Sequence, residues 1–299
     1  MGGHLMAVLE AAYPDAELVS IGRDPYRIDL CDHAAIDLLV KRLRPDGCIH
    51  LAAVSAIGEA RKEPHRAWAV NLHATLALAA SLLHHAPMCR LVFASTSDLY
   101  GASFRSGLPL DEDALPAPLN TYSATKAAAD IALGAMAAEG LLVTRVRPFN
   151  HTGPGQQPEF AVPSFARQVM RIATGRQAPT LEVGDLTPLR DFLDVRDVCA
   201  AYAACLRPDV ELAGGTILNV ASGQPRRIGD VLRDLLAEAG VAAEIAPKTA
   251  LMRSTDIPFA VGNADRARQL LGWRPRVEWQ VTIRDVIADW RERVAAEPA

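Results

Sequence analysis

The chain has 299 residues, of which 50% are hydrophobic and 22% charged, a composition typical of a globular protein with a sizeable core. The net charge of −4 and the lack of any lysine and arginine run argue against a nucleic-acid-binding protein. The five cysteines form no Cys-x-x-Cys pair, which favours a reducing, cytoplasmic location. No signal peptide and no run of about 18 apolar residues is evident, so we expect no membrane partner.

Short β-rich runs alternate with longer helical patterns in the first half of the chain. The predicted helices are 3–13, 32–43, 66–85 and 122–139, with Asp32 as a helix N-cap. The predicted strands are 17–21, 47–51, 91–95 and 141–146. This alternation predicts βαβ units and a doubly wound parallel sheet of the α/β class.

The pattern changes after Arg147. Residues 148–163 are rich in glycine, proline and polar residues, which is typical of a loop that lines a site. Beyond them the elements alternate less regularly, with a strand predicted at 217–220 and helices at 230–239 and 281–294. We expect this part to form a smaller substrate-side unit.

Tyr122 and Lys126 are four residues apart in a predicted helix, so their side chains share one face. A free tyrosine has a pKa of about 10, too high for proton transfer near neutral pH. A lysine ammonium beside it favours the phenolate and lowers that pKa. Thr96, just after the preceding strand, offers a hydroxyl to the same substrate oxygen. A tyrosine and a lysine four residues apart usually occur together by chance. Here the strand that ends just before Thr96 and the doubly wound pattern indicate a catalytic site.

The sequence resembles the extended short-chain dehydrogenase/reductase family of nucleotide-sugar epimerases, dehydratases and reductases over nearly its whole length. The matching residues are Asp29-Leu30, His50-Leu51-Ala52-Ala53, Asn71, Ser95-Thr96, Tyr122, Lys126, Arg147-Pro148-Phe149-Asn150 and Arg190-Asp191-Phe192. The resemblance implies a Rossmann domain of 1–147 plus about 191–222, and a smaller nucleotide-sugar-binding domain of about 148–190 plus 223–299. It also implies a homodimer through the helices at 66–85 and 122–139.

The same resemblance implies an NAD(P)-dependent enzyme whose catalytic residues are Thr96, Tyr122 and Lys126. The positions implied for cofactor binding are Gly2, Asp29, Leu30, Leu51, Ala52, Ala53, Asn71, Tyr122, Lys126 and Pro148. Arg23, after the predicted strand at 17–21, could pair with a 2′-phosphate and so favours NADP slightly over NAD. An exposed turn arginine explains that residue equally well.

Within the family, the substrate-side segments resemble GDP-6-deoxy-4-keto-mannose reductases, which make GDP-rhamnose. The resemblance lies in residues 147–156, 183–185, 190–198 and 253–258. Arg190 and Arg253 could pair with the diphosphate or its ribose, and Asn150 could donate to a phosphate oxygen. We therefore expect a GDP-sugar as the substrate.

Asp98 separates the related chemistries. A 4,6-dehydratase must also remove the C5 proton and expel the C6 hydroxyl, and the dehydratases that this chain resembles carry glutamate at that position. A ketone reductase needs only the proton donor Tyr122 and a hydride. We therefore expect NAD(P)H-dependent reduction of the C4 ketone of a GDP-4-keto-6-deoxy-hexose. Because Asp98 is still a carboxylate, it counts as a catalytic candidate, and GDP-mannose 4,6-dehydratase or nucleotide-sugar 4-epimerase activity remains an alternative.

The chain departs from the family at its start. The usual first strand and its Gly-x-x-Gly-x-x-Gly turn hold the cofactor pyrophosphate, and here Gly2 alone matches the last glycine. We expect Met1 to be an internal start. A non-catalytic nucleotide-binding protein is therefore an alternative of another class. His50, His84 and His85 lack ligand partners at useful spacing, so we assign no metal.

Overall fold

Strands and helices alternate along the chain in the computed structural model, which describes residues 1–22, 26–251 and 257–298. The strands are β1 (Gly47–His50), β2 (Arg90–Ala94), β3 (Val143–Pro148), β4 (Asn150–Thr152), β5 (Thr180–Val183), β6 (Leu189–Asp194), β7 (Thr216–Val220), β8 (Pro225–Arg227), β9 (Glu244–Pro247) and β10 (Phe259–Ala260). The helices are α1 (Gly2–Ala12), α2 (His33–Leu43), α3 (Ile57–Lys62), α4 (Pro64–Trp68), α5 (Thr75–His85), α6 (Thr121–Ala138), α7 (Ala161–Ala173), α8 (Val195–Ala204), α9 (Ile228–Ala239), α10 (Asp265–Leu271) and α11 (Trp279–Ala295). A π-helical segment, Ala69–Ala74, joins α4 to α5.

The central sheet contains four parallel strands in the order β1-β2-β3-β7. Side chains of α2, α5 and α6 cover one face of this sheet, and side chains of α1, α8 and α10 cover the other. Because both faces are covered, a central strand reads as a continuous apolar run, and Leu91, Val92 and Phe93 of β2 are all buried. This arrangement confirms the predicted doubly wound α/β fold.

The substrate-side part has sheets of its own. Strand β6 pairs in parallel with β4 and β10 and antiparallel with β8, while β5 pairs with β9. Helices α7, α9 and α11 share a separate apolar core that includes Trp279 and Trp290. The exact division into two domains stays a prediction.

Most of the predicted elements are confirmed to within one or two residues at each end. The predicted N-cap is also confirmed, because the Asp32 carboxylate accepts a hydrogen bond from the Ala35 N–H at 3.0 Å. The strand predicted at 17–21 is wrong: residues 17–20 have no regular structure and 21–22 form a turn. A strand needs a ladder partner, and none of the described strands pairs with residues 17–21.

The helical run from α4 to α5, Pro64–His85, corrects the prediction that no run is apolar enough to cross a membrane. Its mean hydropathy reaches 1.2, since few charged residues interrupt it. Core helices of globular proteins often have the same length and composition. Ala79 and Leu82 of this run are buried against the central sheet, so in this fold the run packs as a core helix.

Candidate active site

The carboxyl ends of three neighbouring strands bring the predicted catalytic and cofactor residues together. Residues 51–53 follow β1, Thr96 follows β2, and Pro148 ends β3. In doubly wound sheets this edge is where ligands bind. The sequence prediction and the topology therefore point to the same end of the sheet.

Helix α6 delivers Tyr122 and Lys126 to this edge. Its N-cap, Asn120, accepts a hydrogen bond from the Ser123 N–H at 2.9 Å, and the Ser123 hydroxyl in turn accepts from the Asn120 N–H at 3.2 Å. This capping box fixes where the helix begins. As a result Tyr122 and Lys126 occupy its first two turns, with Lys126 only 2% exposed.

Tyr122 lies close to Thr96 and Asp98. Burial is the main cause that raises the pKa of Tyr122 above its usual value, and the Asp98 carboxylate raises it further. A hydrogen bond with the Thr96 side chain opposes both effects. The prediction that Lys126 lowers this pKa is wrong for the structure, because desolvation and the nearby carboxylate both favour the neutral phenol.

Lys126 faces a different neighbour. Its Nζ lies 4.0 Å from the centroid of the Phe93 ring, an arrangement that stabilises a cation over an aromatic face. Burial lowers the pKa of Lys126 to about 7, although the charge of Asp130 partly offsets this effect. Burial and the charge of Lys126 lower the pKa of His50 to about 3, so that imidazole is neutral at physiological pH.

Asp130 is a buried residue of the site that the sequence reasoning missed. Its carboxylate accepts hydrogen bonds from the Ser95 hydroxyl at 2.6 Å and from Arg147 Nη2 at 2.8 Å. Arg145 Nη1 also donates to it at 3.3 Å. Asp130 thereby ties α6 to the ends of β2 and β3. The signal was present in the sequence, since Asp130 continues the four-residue spacing of Tyr122 and Lys126.

Asn71 holds the loop after β1 in place. Its side chain accepts from the Val54 N–H at 2.8 Å and donates to the Val54 carbonyl at 3.2 Å and to Thr125 Oγ1 at 2.9 Å. The side chain is fully buried, with all these partners supplied by the protein. The structure therefore gives Asn71 a role in shaping the loop, and its direct contact with a cofactor stays a prediction.

The remaining cofactor candidates lie around the same edge or near α2. Helix α1 begins at Gly2 with no side-chain cap, which is the arrangement that suits a phosphate. Leu51, Ala52 and Ala53 are partly buried, and residues 51–56 have no regular structure. Asp29 is exposed and accepts from the Cys31 N–H at 2.9 Å just before α2, where Leu30 packs against the core. Arg23 lies outside the described residues.

This set fits an anionic dinucleotide. Small side chains line the loop after β1, a helix N-terminus offers N–H donors, and Lys126 supplies a buried amine. In the described part of the chain, no group of three or more histidine, cysteine, aspartate or glutamate residues is placed to hold a metal ion.

The substrate candidates lie on the neighbouring sheet. Asn150 opens β4 and is exposed, while Arg190 is partly buried in β6, and the register pairs Asn150 with Phe192. The two candidates are therefore on adjacent strands. Arg253 falls outside the described residues.

Asp191, next to Arg190, is a second buried carboxylate. It accepts from the Ser222 hydroxyl at 2.6 Å, from the N–H groups of Ser222 and Gly223 at 2.8 Å each, and from the Gly262 N–H at 3.3 Å. These bonds fasten β6 to the turn after β7. The sequence motif Arg190-Asp191-Phe192 was recognised, but nothing in it indicated this role for Asp191.

The model of the GDP-mannose 4,6-dehydratase family matches residues 20–286. The chain belongs to this family. A curated relative in Pseudomonas aeruginosa, GDP-6-deoxy-D-mannose reductase, is 36% identical over 99% of this chain and 96% of the relative. The structure of RMD from Pseudomonas aeruginosa complexed with NADPH has a TM-score of 0.88 and 35% identity, covering 98% of this chain and 95% of that one.

Epimerases are also similar to this member of the GDP-mannose 4,6-dehydratase family. UDP-glucose 4-epimerase of Corynebacterium glutamicum is 30% identical over 82% of this chain and 74% of the relative. The Thermus thermophilus UDP-glucose 4-epimerase complex with NAD has a TM-score of 0.81 and 27% identity, covering 97% and 95% of the two chains. The family resemblance and the Rossmann-type fold inferred from the sequence are thus confirmed.

Proposed function

We propose that this chain reduces the C4 ketone of a GDP-4-keto-6-deoxy-hexose with a nicotinamide cofactor. The observation that carries the proposal is the placement of Tyr122 and Thr96 together at the carboxyl end of the sheet, with Lys126 buried one helical turn further on. The 36% identity to a GDP-6-deoxy-D-mannose reductase over nearly the whole chain supports the choice of substrate.

The cofactor, when bound, supplies the hydride that forms the new C4–H bond. The residues that would hold it are those at the carboxyl edge of the sheet and the start of α1, namely Gly2, Leu51, Ala52, Ala53, Lys126 and Pro148. Their fit to an anionic dinucleotide supports this assignment.

Tyr122 supplies the proton. The phenol is protonated at neutral pH, which is the state required of a donor to the substrate O4, although burial and Asp98 raise its pKa. The Thr96 hydroxyl, hydrogen-bonded to Tyr122, orients the carbonyl. Lys126, buried one helical turn beyond Tyr122, would hold the cofactor.

The test is NADPH oxidation by the intact chain with GDP-4-keto-6-deoxymannose, followed by absorbance. We expect Tyr122→Phe to lower turnover by about 10²- to 10⁴-fold while GDP binding is retained, since the proton donor alone is removed. Tyr13→Phe is the matched control, because the Tyr13 hydroxyl donates to the Ala203 carbonyl at 2.7 Å on the helical layer formed by α1 and α8. Full turnover in Tyr122→Phe would rule out this mechanism.

A second candidate is GDP-mannose 4,6-dehydratase activity. It is favoured by Asp98, whose carboxylate lies close enough to Tyr122 to raise its pKa. A dehydratase returns its hydride to the same substrate and causes no net NADPH oxidation. Incubation with GDP-mannose and NADP⁺ therefore separates the two reactions, since only a dehydratase releases water from that sugar.

The cofactor preference and the assembly state are further parts of the proposal. NADPH in the Pseudomonas aeruginosa structure supports NADP over NAD, and the comparison of turnover with NADPH and NADH measures the preference.

We expect a homodimer through the outer faces of α5 and α6, where Ile131 is 59% exposed. A mass of two chains measured by light scattering would support the homodimer, and a mass of one chain would contradict it. A cytoplasmic location stays a prediction.

A further inference from the structure

Two arginines face each other across neighbouring strands of the second sheet. In the antiparallel pair of β6 and β8, Arg226 lies directly opposite Arg190. Residues opposite each other in such a pair project from the same face of the sheet, with their Cβ atoms about 5 Å apart. Both arginines are partly buried. Arg226 therefore stands beside a predicted substrate-binding residue, although the sequence motifs did not single it out.

The guanidinium group of Arg226 lies over an aromatic ring. Its central carbon lies 4.7 Å above the ring of Trp279, whose own indole N–H donates to Asp234 at 2.8 Å. Trp279 in turn packs against Phe192 of β6, with ring centroids 5.9 Å apart. The contact with the Trp279 ring leaves the N–H donors of the guanidinium unused.

Those donors are poorly satisfied within the protein. The Nε of Arg226 is buried and has no hydrogen-bond partner in the described ranges. Arg226 Nη2 reaches Gln224 Oε1 only at 3.4 Å. Asp234 and Asp191 act on Arg226 by charge, but no ion pair between either of them and Arg226 is found among the described residues. A buried N–H donor of a charged group calls for an acceptor.

We propose that Arg226 binds the diphosphate of the nucleotide substrate beside Arg190. This inference rests on the proposed function, because it assigns the acceptor to that substrate. A diphosphate offers several charged oxygens on two adjacent phosphorus atoms, and the planar fork of arginine matches phosphate oxygens with two parallel hydrogen bonds. Two arginines on one sheet face supply two such forks, and one of them lies over the Trp279 ring.

The test is the calorimetric binding of GDP and of guanosine to the intact chain. Arg226→Met keeps an unbranched side chain over Trp279 but removes the charge and the donors. We expect it to weaken GDP binding by about 10- to 100-fold, the range for a hydrogen bond to a charged group, and to leave guanosine binding unchanged. Arg226→Lys keeps the charge without the fork, so its affinity for GDP should fall between the two.

Arg227→Met is the matched control. Arg227 is the next residue of β8, is exposed, and lies opposite Leu189, so its side chain leaves the other face of the sheet. We expect it to bind GDP as the unmodified chain does. Equal GDP affinity in Arg226→Met and in the unmodified chain would overturn the inference, as would equal losses for GDP and guanosine, which would indicate a packing role.

The proposed reaction can be wrong while the inference on Arg226 is right, and the experiments distinguish the two cases. If the unmodified chain binds GDP but does not reduce the 4-keto sugar, the reaction is wrong, and a GDP-specific loss in Arg226→Met still supports the diphosphate contact. If the unmodified chain prefers UDP, the same loss measured with UDP and uridine supports the contact and contradicts the GDP-sugar assignment. Failure to bind either nucleoside diphosphate would overturn the inference.

Discussion

Two polar clusters of this protein differ in how completely the protein itself satisfies them. The Asp130 network, formed by Asp130, Ser95, Arg145 and Arg147, is largely buried, and its carboxylate receives four donors from protein side chains. On the substrate side, Arg226 keeps a buried Nε without a partner in the described residues. A cluster that is satisfied internally is in place before any ligand binds, whereas a cluster with a spare donor is completed by one. By this comparison the proposed cofactor side is preformed, and the proposed substrate side would be completed by its ligand.

Among the variants that test this comparison, we expect the largest effect from Asp130→Asn. It leaves Arg147, which is 3% exposed, without its counter-charge, and removing one partner of a buried ion pair costs about 3–5 kcal/mol. We expect the free energy of unfolding, measured by urea denaturation, to fall by about that amount. Asp209→Asn is the control, since its carboxylate is 71% exposed and pairs with Arg207, and exposed pairs contribute about 0–1 kcal/mol. A loss of similar size in both variants would remove the distinction between a preformed and an ordinary polar cluster.

Lys126 allows a pH test of the same preformed side. Its pKa is about 7 in the folded chain and close to 10.5 when unfolded, so between these values the unfolded chain binds more protons. The contribution of Lys126 to the free energy of unfolding therefore rises with pH between the two pKa values, by at most about 1.4 kcal/mol per pH unit. Below both pKa values this contribution does not change, because Lys126 is protonated in the folded and in the unfolded chain. We expect Lys126→Met to lack this rise when unfolding is compared at about pH 7.5 and about pH 9.

The difference in free energy of unfolding between the unmodified chain and Lys126→Met reports the effect of Lys126 alone. His50 is neutral above about pH 7.5 in both states, and the cysteines are identical in the variant and in the unmodified chain. Parallel stability curves for the two proteins would show that Lys126 is not desolvated as the structure has it.

The fold and the shared helical face of Tyr122 and Lys126 were accessible from sequence because they depend on local patterns. The spacing of Tyr122 and Lys126, the Asp32 cap and the apolar strands are each read from a few neighbouring residues. The strand expected at 17–21 failed because a strand depends on a partner elsewhere in the chain. The pKa of Tyr122 was predicted in the wrong direction because burial and the position of Asp98 depend on tertiary packing. The role of Asp191 and the position of Arg226 were missed for the same reason. The partners of Asp191 are 31 to 71 residues away, and Trp279 is 53 residues from Arg226.

We expect the smallest effect on the free energy of unfolding from Arg226→Met, which tests the substrate side of the comparison. Without ligand, Arg226→Met loses no hydrogen bond shorter than 3.4 Å to the described residues, so its free energy of unfolding should stay within about 1 kcal/mol of the unmodified chain. With GDP at 100 times the Kd of the unmodified chain, that chain gains about 2.7 kcal/mol. A tenfold weaker variant gains about 1.4 kcal/mol at the same concentration, because the gain depends on the logarithm of the ligand concentration divided by Kd. Thermal unfolding with and without GDP measures both quantities. A variant that is destabilised by several kcal/mol without GDP, and gains as much from it as the unmodified chain, would place Arg226 with Asp130 among the preformed structural contacts.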